Sequence, residues 1–133
     1  FRGFHPTGTE LDDYRALLAK GLVRPTIMEL FVMNADGSNV RQVTHNSAAN
    51  FCPYFHPDGK RILYASNAGD PKGREFDLWL IPKTGGMPER ITTAAGFDGF
   101  PMFSPDGKLI VWASNRANPE GHETNLFIAE WVE

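Results

Sequence analysis

Four histidines, His5, His45, His56 and His122, are the side chains of this sequence best suited to proton transfer or metal binding. No second histidine stands at metal-ligand spacing from any of them, and they read as turn or surface residues. Ser47, Ser66, Ser104 and Ser114 lack the Gly-x-Ser-x-Gly context of a nucleophile elbow. Glu10, Asp12 and Asp13 offer negative charge, but not at the spacing of a calcium loop, and they suit a solvated first helical turn. Asp58 and Asp106 belong to turns. The sequence therefore predicts no catalytic residue, no metal and no cofactor. The residues left for recognition are Asn50 and Asp98, which precede two equivalent strands, the mixed-charge loop carrying Asp70, Lys72 and Arg74, and His122. The plainer reading of Asn50 and Asp98 is that they cap the start of a strand, and the plainer reading of the loop is that it is solvated.

The elements that position these residues follow from an internal repeat. Pro53 to Asn67 reads Pro-Tyr-Phe-His-Pro-Asp-Gly-Lys-Arg-Ile-Leu-Tyr-Ala-Ser-Asn and returns at Pro101 to Asn115, with ten of fifteen positions identical at an offset of 48. His56 aligns with Ser104 and Asn50 with Asp98. In each copy Pro-Asp-Gly is a tight turn: the proline presets φ, the aspartate bonds nearby backbone, and the glycine accepts positive φ. A strand rich in β-formers follows. The same offset carries Glu29–Met33 onto Asp77–Ile81 and Asn125–Ala129, Gly37 onto Gly85, and Val43-Thr44 onto Ile91-Thr92. Each period thus holds four short strands, the pattern of propeller blades. The predicted class is all-β, a partial β-propeller of about 2.5 to 3 four-stranded antiparallel blades with repeats from about residue 29 to residue 133.

Thr9 to Leu22 breaks the β pattern. Leu11, Tyr14, Leu18 and Leu22 recur at helical spacing, Thr9 suits a cap and Gly21 a stop, which predicts one inserted helix over residues 9–22. Its apolar stripe fits either packing on a blade edge or docking of a partner. Phe1-Arg2 fits the end of a second strand. The third blade stops before a fourth strand.

Strand alternation places the Pro-Asp-Gly and glycine turns on one face, here called lower. The blade crossings, the helix and the loops 67–77 and 115–125 fall on the upper face, where long loops on a rigid scaffold favour binding. The net charge of −3 and pI near 5.8 supply no basic footprint for nucleic acid. No stretch approaches the ~20 apolar residues of a membrane span. The single cysteine, Cys52, excludes an internal disulfide and reads as a small buried apolar residue.

Phe-x-Pro-Asp-Gly-Lys at Phe55–Lys60 and Phe103–Lys108, Ala-Ser-Asn after each second strand, and Leu-Phe-Val-Met-Asn-Ala-Asp-Gly-Ser-Asn-Val-Arg-Gln-Val-Thr at Leu30–Thr44 together resemble the TolB-like β-propeller family. The resemblance covers nearly all of the chain after Pro25. It implies a six-bladed ring, a periplasmic or secreted location, and either binding of envelope proteins or a non-catalytic role beside a peptidase domain. It also implies that the chain is the C-terminal portion of a longer protein whose N-terminal segment supplies the missing outer strand.

A blade face of four strands, ~4.8 Å apart and ~17 Å long, exposes about 330 Å², worth about 8 kcal/mol at ~25 cal/mol/Å². That rivals the ~5–15 kcal/mol stability of a small domain. The expected partners are therefore a protein or peptide at the upper face and, at the open ends, a second copy of the chain or further blades that close the ring.

Overall fold

The computed structural model describes residues 1–70, 73, 75–117 and 123–132. Its second blade is a four-stranded antiparallel sheet in sequential order: β5 (Asn50–Phe55), β6 (Arg61–Ser66), β7 (Asp77–Pro82) and β8 (Glu89–Arg90). The third blade holds β9 (Asp98–Phe103), β10 (Leu109–Ser114) and β11 (Asn125–Glu130). The first is partial: β1 (Arg2–Gly3) pairs with β2 (Met28–Glu29), and β3 (Phe31–Val32) pairs with β4 (Arg41–Gln42). Arg2 opposes Glu29 as Ser66 opposes Asp77, so β1 is the end of that blade's second strand.

The Pro-Asp-Gly turns close as their residue types dictate. His56 N–H donates to Arg61 O, and Gly59 N–H to His56 O, with Gly59 at φ 67° and Gly107 at φ 73°. Asp58 Oδ1 accepts the Lys60 N–H at 2.7 Å and Asp106 Oδ1 the Lys108 N–H at 3.2 Å. Burial works against the Asp58 charge, but the Lys60 and Arg61 N–H groups, the Arg61 guanidinium and His56 outweigh it and hold the carboxyl well below the usual range. The Ser104 hydroxyl, then the Lys108 N–H, lower Asp106 in the same direction. Stability from these two carboxylates is present above their unfolded values near 3.8 and is lost as pH falls through the lowered folded ones.

Two apolar clusters lie in the seams between blades. Leu30, Val43, Ile62, Tyr64 and Ile81 fill the first seam. In the second, Leu63, Ala65, Leu78 and Leu80 meet Phe103, Ile110 and Trp112. Parallel bridges, Met28 with Ala49 and Phe76 with Phe97, tie each third strand to the next inner strand.

The Ala-Ser-Asn motif now has a physical cause. Ser66 Oγ accepts the Ala68 N–H and Ser114 Oγ the Arg116 N–H, each at 3.1 Å, turning the chain at the strand end. Asn67 Oδ1 accepts the Ala49 N–H at 2.8 Å, and Asn115 Oδ1 the Phe97 N–H at 2.7 Å, pinning each blade crossing. Gly96 sits at φ +107°, and a Cβ there would meet Asn115 Oδ1 at 2.3 Å. Gly96→Ala is therefore expected to cost about 1–3 kcal/mol, read as a lower midpoint in urea denaturation.

Three local expectations change. The helix α1 spans Thr9–Leu18, shorter than 9–22, because Lys20 and Gly21 bond back three residues and tighten the end. Gly8 precedes it without a side-chain cap, so Thr9 does not serve as one, and none of the helix residues is buried. His56 is no surface residue: it lies in the second seam, edge-on to Phe103 at 4.6 Å between ring centroids. Cys52 is half-buried at a bulge with φ 50°, matched by Phe100 at φ 54°, and burial pushes its thiol up.

Candidate functional site

The residues singled out at the upper ends of the inner strands lie within the blade seams. In the first seam Glu29, at the start of the blade's third strand, is the hub. Its Oε2 accepts the Thr44 hydroxyl at 2.5 Å and the Asn50 amide at 3.2 Å, and its Oε1 accepts the Ser47 N–H at 2.9 Å. Thr44 Oγ1 in turn accepts the Leu30 N–H at 2.9 Å. Asn50 is fully buried, and its Nδ2 also donates to Met28 O and Asn46 Oδ1, both at 2.8 Å. One amide thus joins three segments, which suits a crossing that must turn without exposing backbone.

The second seam repeats the frame with different charges. Asp77 stands where Glu29 does, and Asp98 where Asn50 does. Thr92 Oγ1 accepts the Leu78 N–H at 2.9 Å and lies 3.4 Å from Asp77 Oδ1. Arg90 Nη2 donates to Asp77 Oδ2 at 2.5 Å, and Arg116 Nη2 to Asp98 Oδ2 at 2.7 Å. Both aspartates are buried. Burial, first, and the charge of Asp98 push the Asp77 carboxyl up, against the pull of Arg90. Arg116 also lies over the Trp112 ring at 5.0 Å.

Asn50 and Asp98 therefore present their side chains to the seams. Asp70 is half-buried in the upper loop, where its Oδ2 accepts the Glu75 N–H at 2.6 Å and its carbonyl the Gly73 N–H at 2.9 Å, so it also shapes the loop. Lys72, Arg74 and His122 lie outside the described residues. Sequence reasoning passed over Glu29, Asp77, Arg90 and Arg116. The signal for the first two was present, since Glu29 and Asp77 correspond at the repeat offset, as Thr44 and Thr92 do. A polar residue recurring next to an apolar run marks a position that the blade itself requires.

A groove of about 350 Å³ between the first two blades is lined by Thr44, His45, Asn46, Tyr64, Thr84 and Gly85 among others. The Tyr64 hydroxyl is buried without a partner among the described residues, and burial, then Glu29, pushes it up. Among the described residues no three His, Cys, Asp or Glu side chains are placed to hold a metal ion. No helix among them is long and apolar enough to cross a membrane.

The geometry has solved counterparts. A putative TolB from Agrobacterium tumefaciens superposes with a TM-score of 0.67 at 26% identity, covering 82% of this chain and 39% of that one. TolB from Acinetobacter baumannii gives 0.64 at 27% identity, covering 80% of this chain and 25% of that one. In sequence, the Tol-Pal system protein TolB of Roseobacter denitrificans is 39% identical over 57 residues, 42% of this chain and 13% of that protein. Dipeptidyl-peptidase 5 of Porphyromonas gingivalis is 44% identical over 41 residues, 31% of this chain and 6% of that protein. The match therefore spans well under half of each of these relatives. No family model matches the chain. Repeat, blade topology and structural neighbours agree: the chain is similar to the TolB-like β-propellers in fold and in sequence.

Proposed function

We propose that the chain is a non-catalytic propeller module that binds a protein or peptide partner through its upper loop face, in a periplasmic or secreted setting. The observation that supports this reading most is the asymmetry of the two faces. Below, the strands are joined by tight hydrogen-bonded turns such as His56–Arg61 and Ser104–Leu109. Above, residues 67–76 join β6 to β7 and residues 115–124 join β10 to β11, longer connections of the kind that take on binding on a rigid scaffold. Asp70, Lys72, Arg74 and His122 are the loop residues assigned to contact, and Asn50 and Asp98 hold the strands beneath them. A relative over part of the chain carries the name Tol-Pal system protein, in line with this reading.

The test is selection of peptides on the immobilised chain, followed by affinity measurement against Arg74→Glu and His122→Ala above and Lys60→Glu and Lys108→Glu below. The upper-face variants are expected to lose at least about tenfold, or ~1.4 kcal/mol, with the lower-face variants unchanged. Equal loss on both faces, or none, would sink the assignment. A second reading, a propeller part that supports a peptidase domain, rests on the identity with the dipeptidyl-peptidase. A nucleophile motif elsewhere in the parent protein and peptide hydrolysis by it would favour that reading.

The same module is completed at its open end by a second copy or by further blades. Leu126 and Ile128 are 78% and 68% exposed, whereas their equivalents Leu78 and Leu80, covered by the third blade, are 0% and 6% exposed. Light scattering across a dilution series is expected to give a mass near twice 14.8 kDa for this chain. A folded monomer at low micromolar concentration would overturn closure by a second copy.

A further inference from the structure

The groove between the first two blades carries a polar group that the fold leaves unmatched. Tyr64 and Ile62 reach from β6 into the first seam and pack with Leu30, Val43 and Ile81. Tyr64 is 0% exposed, and its hydroxyl is buried with no hydrogen-bond partner among the described residues. Tyr64, Val43 and Ile81 also line the groove of about 350 Å³. A buried hydroxyl left unmatched is a standing cost that a bound acceptor removes. Burial, then the charge of Glu29, keeps the proton on the oxygen, so the unmatched group is a donor. The blade frame does not require it, since Trp112 takes the same place one period later, stacked on Phe127.

We propose that this groove is a binding site for a short uncharged peptide segment, with a backbone carbonyl of the segment accepting the hydrogen bond that the Tyr64 hydroxyl donates. The volume sets the size: about 350 Å³ lies at the small end of ligand sites, which run ~300–1,000 Å³, and suits one or two residues. The lining sets the charge. Among the described residues it holds no Asp, Glu, Lys or Arg to pair with an ionic group, and the Glu29 charge felt at Tyr64 further disfavours an anion. A peptide supplies both the carbonyl that Tyr64 lacks and small apolar groups for Val43, Ile81 and Pro88. Gly85 has φ +86°, and a Cβ there would meet Val43 O at 3.4 Å, so the turn after β7 closes directly on the end of β4 and bounds the groove. None of the loop residues assigned to the upper face lines it, and it is a separate site.

The experiment titrates the full chain with an uncharged capped dipeptide, N-acetyl-Ala-Ala-amide, and follows the backbone amide signals by NMR. Saturable shifts are expected at Thr44, Thr84 and Gly85, with a Kd of about 1 mM for a ligand of this size. Tyr64→Phe keeps the ring in the seam and is expected to weaken binding ~5-fold, the loss of one neutral hydrogen bond. Thr84→Trp, which blocks the groove from an exposed position outside the core, is expected to abolish it. The free acid, N-acetyl-Ala-Ala, is expected to bind at least ~5-fold more weakly than the amide. Absence of saturable shifts in the native chain overturns the site without need of any variant. Equal binding by Tyr64→Phe overturns the carbonyl contact, and equal binding of the free acid overturns the uncharged class. All three results leave standing the upper-face assignment, which is read from Arg74→Glu and His122→Ala.

Discussion

Leu78→Ala is expected to lower the unfolding free energy by about 2–5 kcal/mol, the range for a fully buried leucine truncated in a close-packed core. Leu78 is 0% exposed and lies between its own sheet and the aromatic wall of Phe103 and Trp112 in the third blade. Truncation there removes contacts on both sides of the seam, and two sheets held at a fixed spacing cannot collapse around the gap. The repeat supplies the control. Leu126 occupies the same position one period later but is 78% exposed, so Leu126→Ala is expected to change the stability of the dissociated chain by no more than about 0.5 kcal/mol. Under the proposed closure by a second copy, its effect is expected in assembly, as a loss of mass in light scattering. Equal costs for both substitutions in the monomer would mean that the third blade's outer face is already covered within one chain. That would remove the argument for closure by a second copy.

Glu29→Ala is expected to cost about 3 kcal/mol, combining a cavity with donors left unmatched in the first seam. The Thr44 hydroxyl loses its acceptor outright, the Asn50 amide loses one of several, and the Ser47 N–H must turn to water. Glu29→Gln keeps the volume and one acceptor oxygen, and is expected to cost about 1 kcal/mol. Thermal denaturation of the two variants side by side measures the difference. A loss below 1 kcal/mol for Glu29→Ala would show that Glu29 does not hold the seam, and the crossing would then rest on Asn67, Asn50 and the Met28–Ala49 bridge.

Both predictions concern seams, and the seams separate what was legible in the sequence from what was not. The turns Pro57–Lys60 and Pro105–Lys108 were readable because their conformation is decided locally, by a proline, a short acid and a glycine. The strands were readable because the repeat aligned them, so that ambiguous stretches such as Asn125–Ala129 inherited the assignment of Asp77–Ile81. The helix was readable as an element but not in its extent. Its last turn tightens at Lys20 and Gly21, and Leu22 lies more than half exposed beyond it. His56 looked like a turn residue because it precedes Pro57. The third blade's Phe103 and Trp131, far along the chain, pack against it.

By itself the sequence determined the period, the four-stranded unit, the turn chemistry and the resemblance to TolB-like propellers, all of which follow from patterns within ~50 residues. The tertiary structure alone decided where Asn50 and Asp98 point, that Glu29 and Asp77 anchor the seams, and that one seam pairs an acid with an amide while the other pairs each of two acids with an arginine. The physical reason is that burial and hydrogen bonding across a seam are set by residues from different blades, here Glu29 with Asn50 and Phe76 with Asp98, which only the docking of one blade on the next brings together.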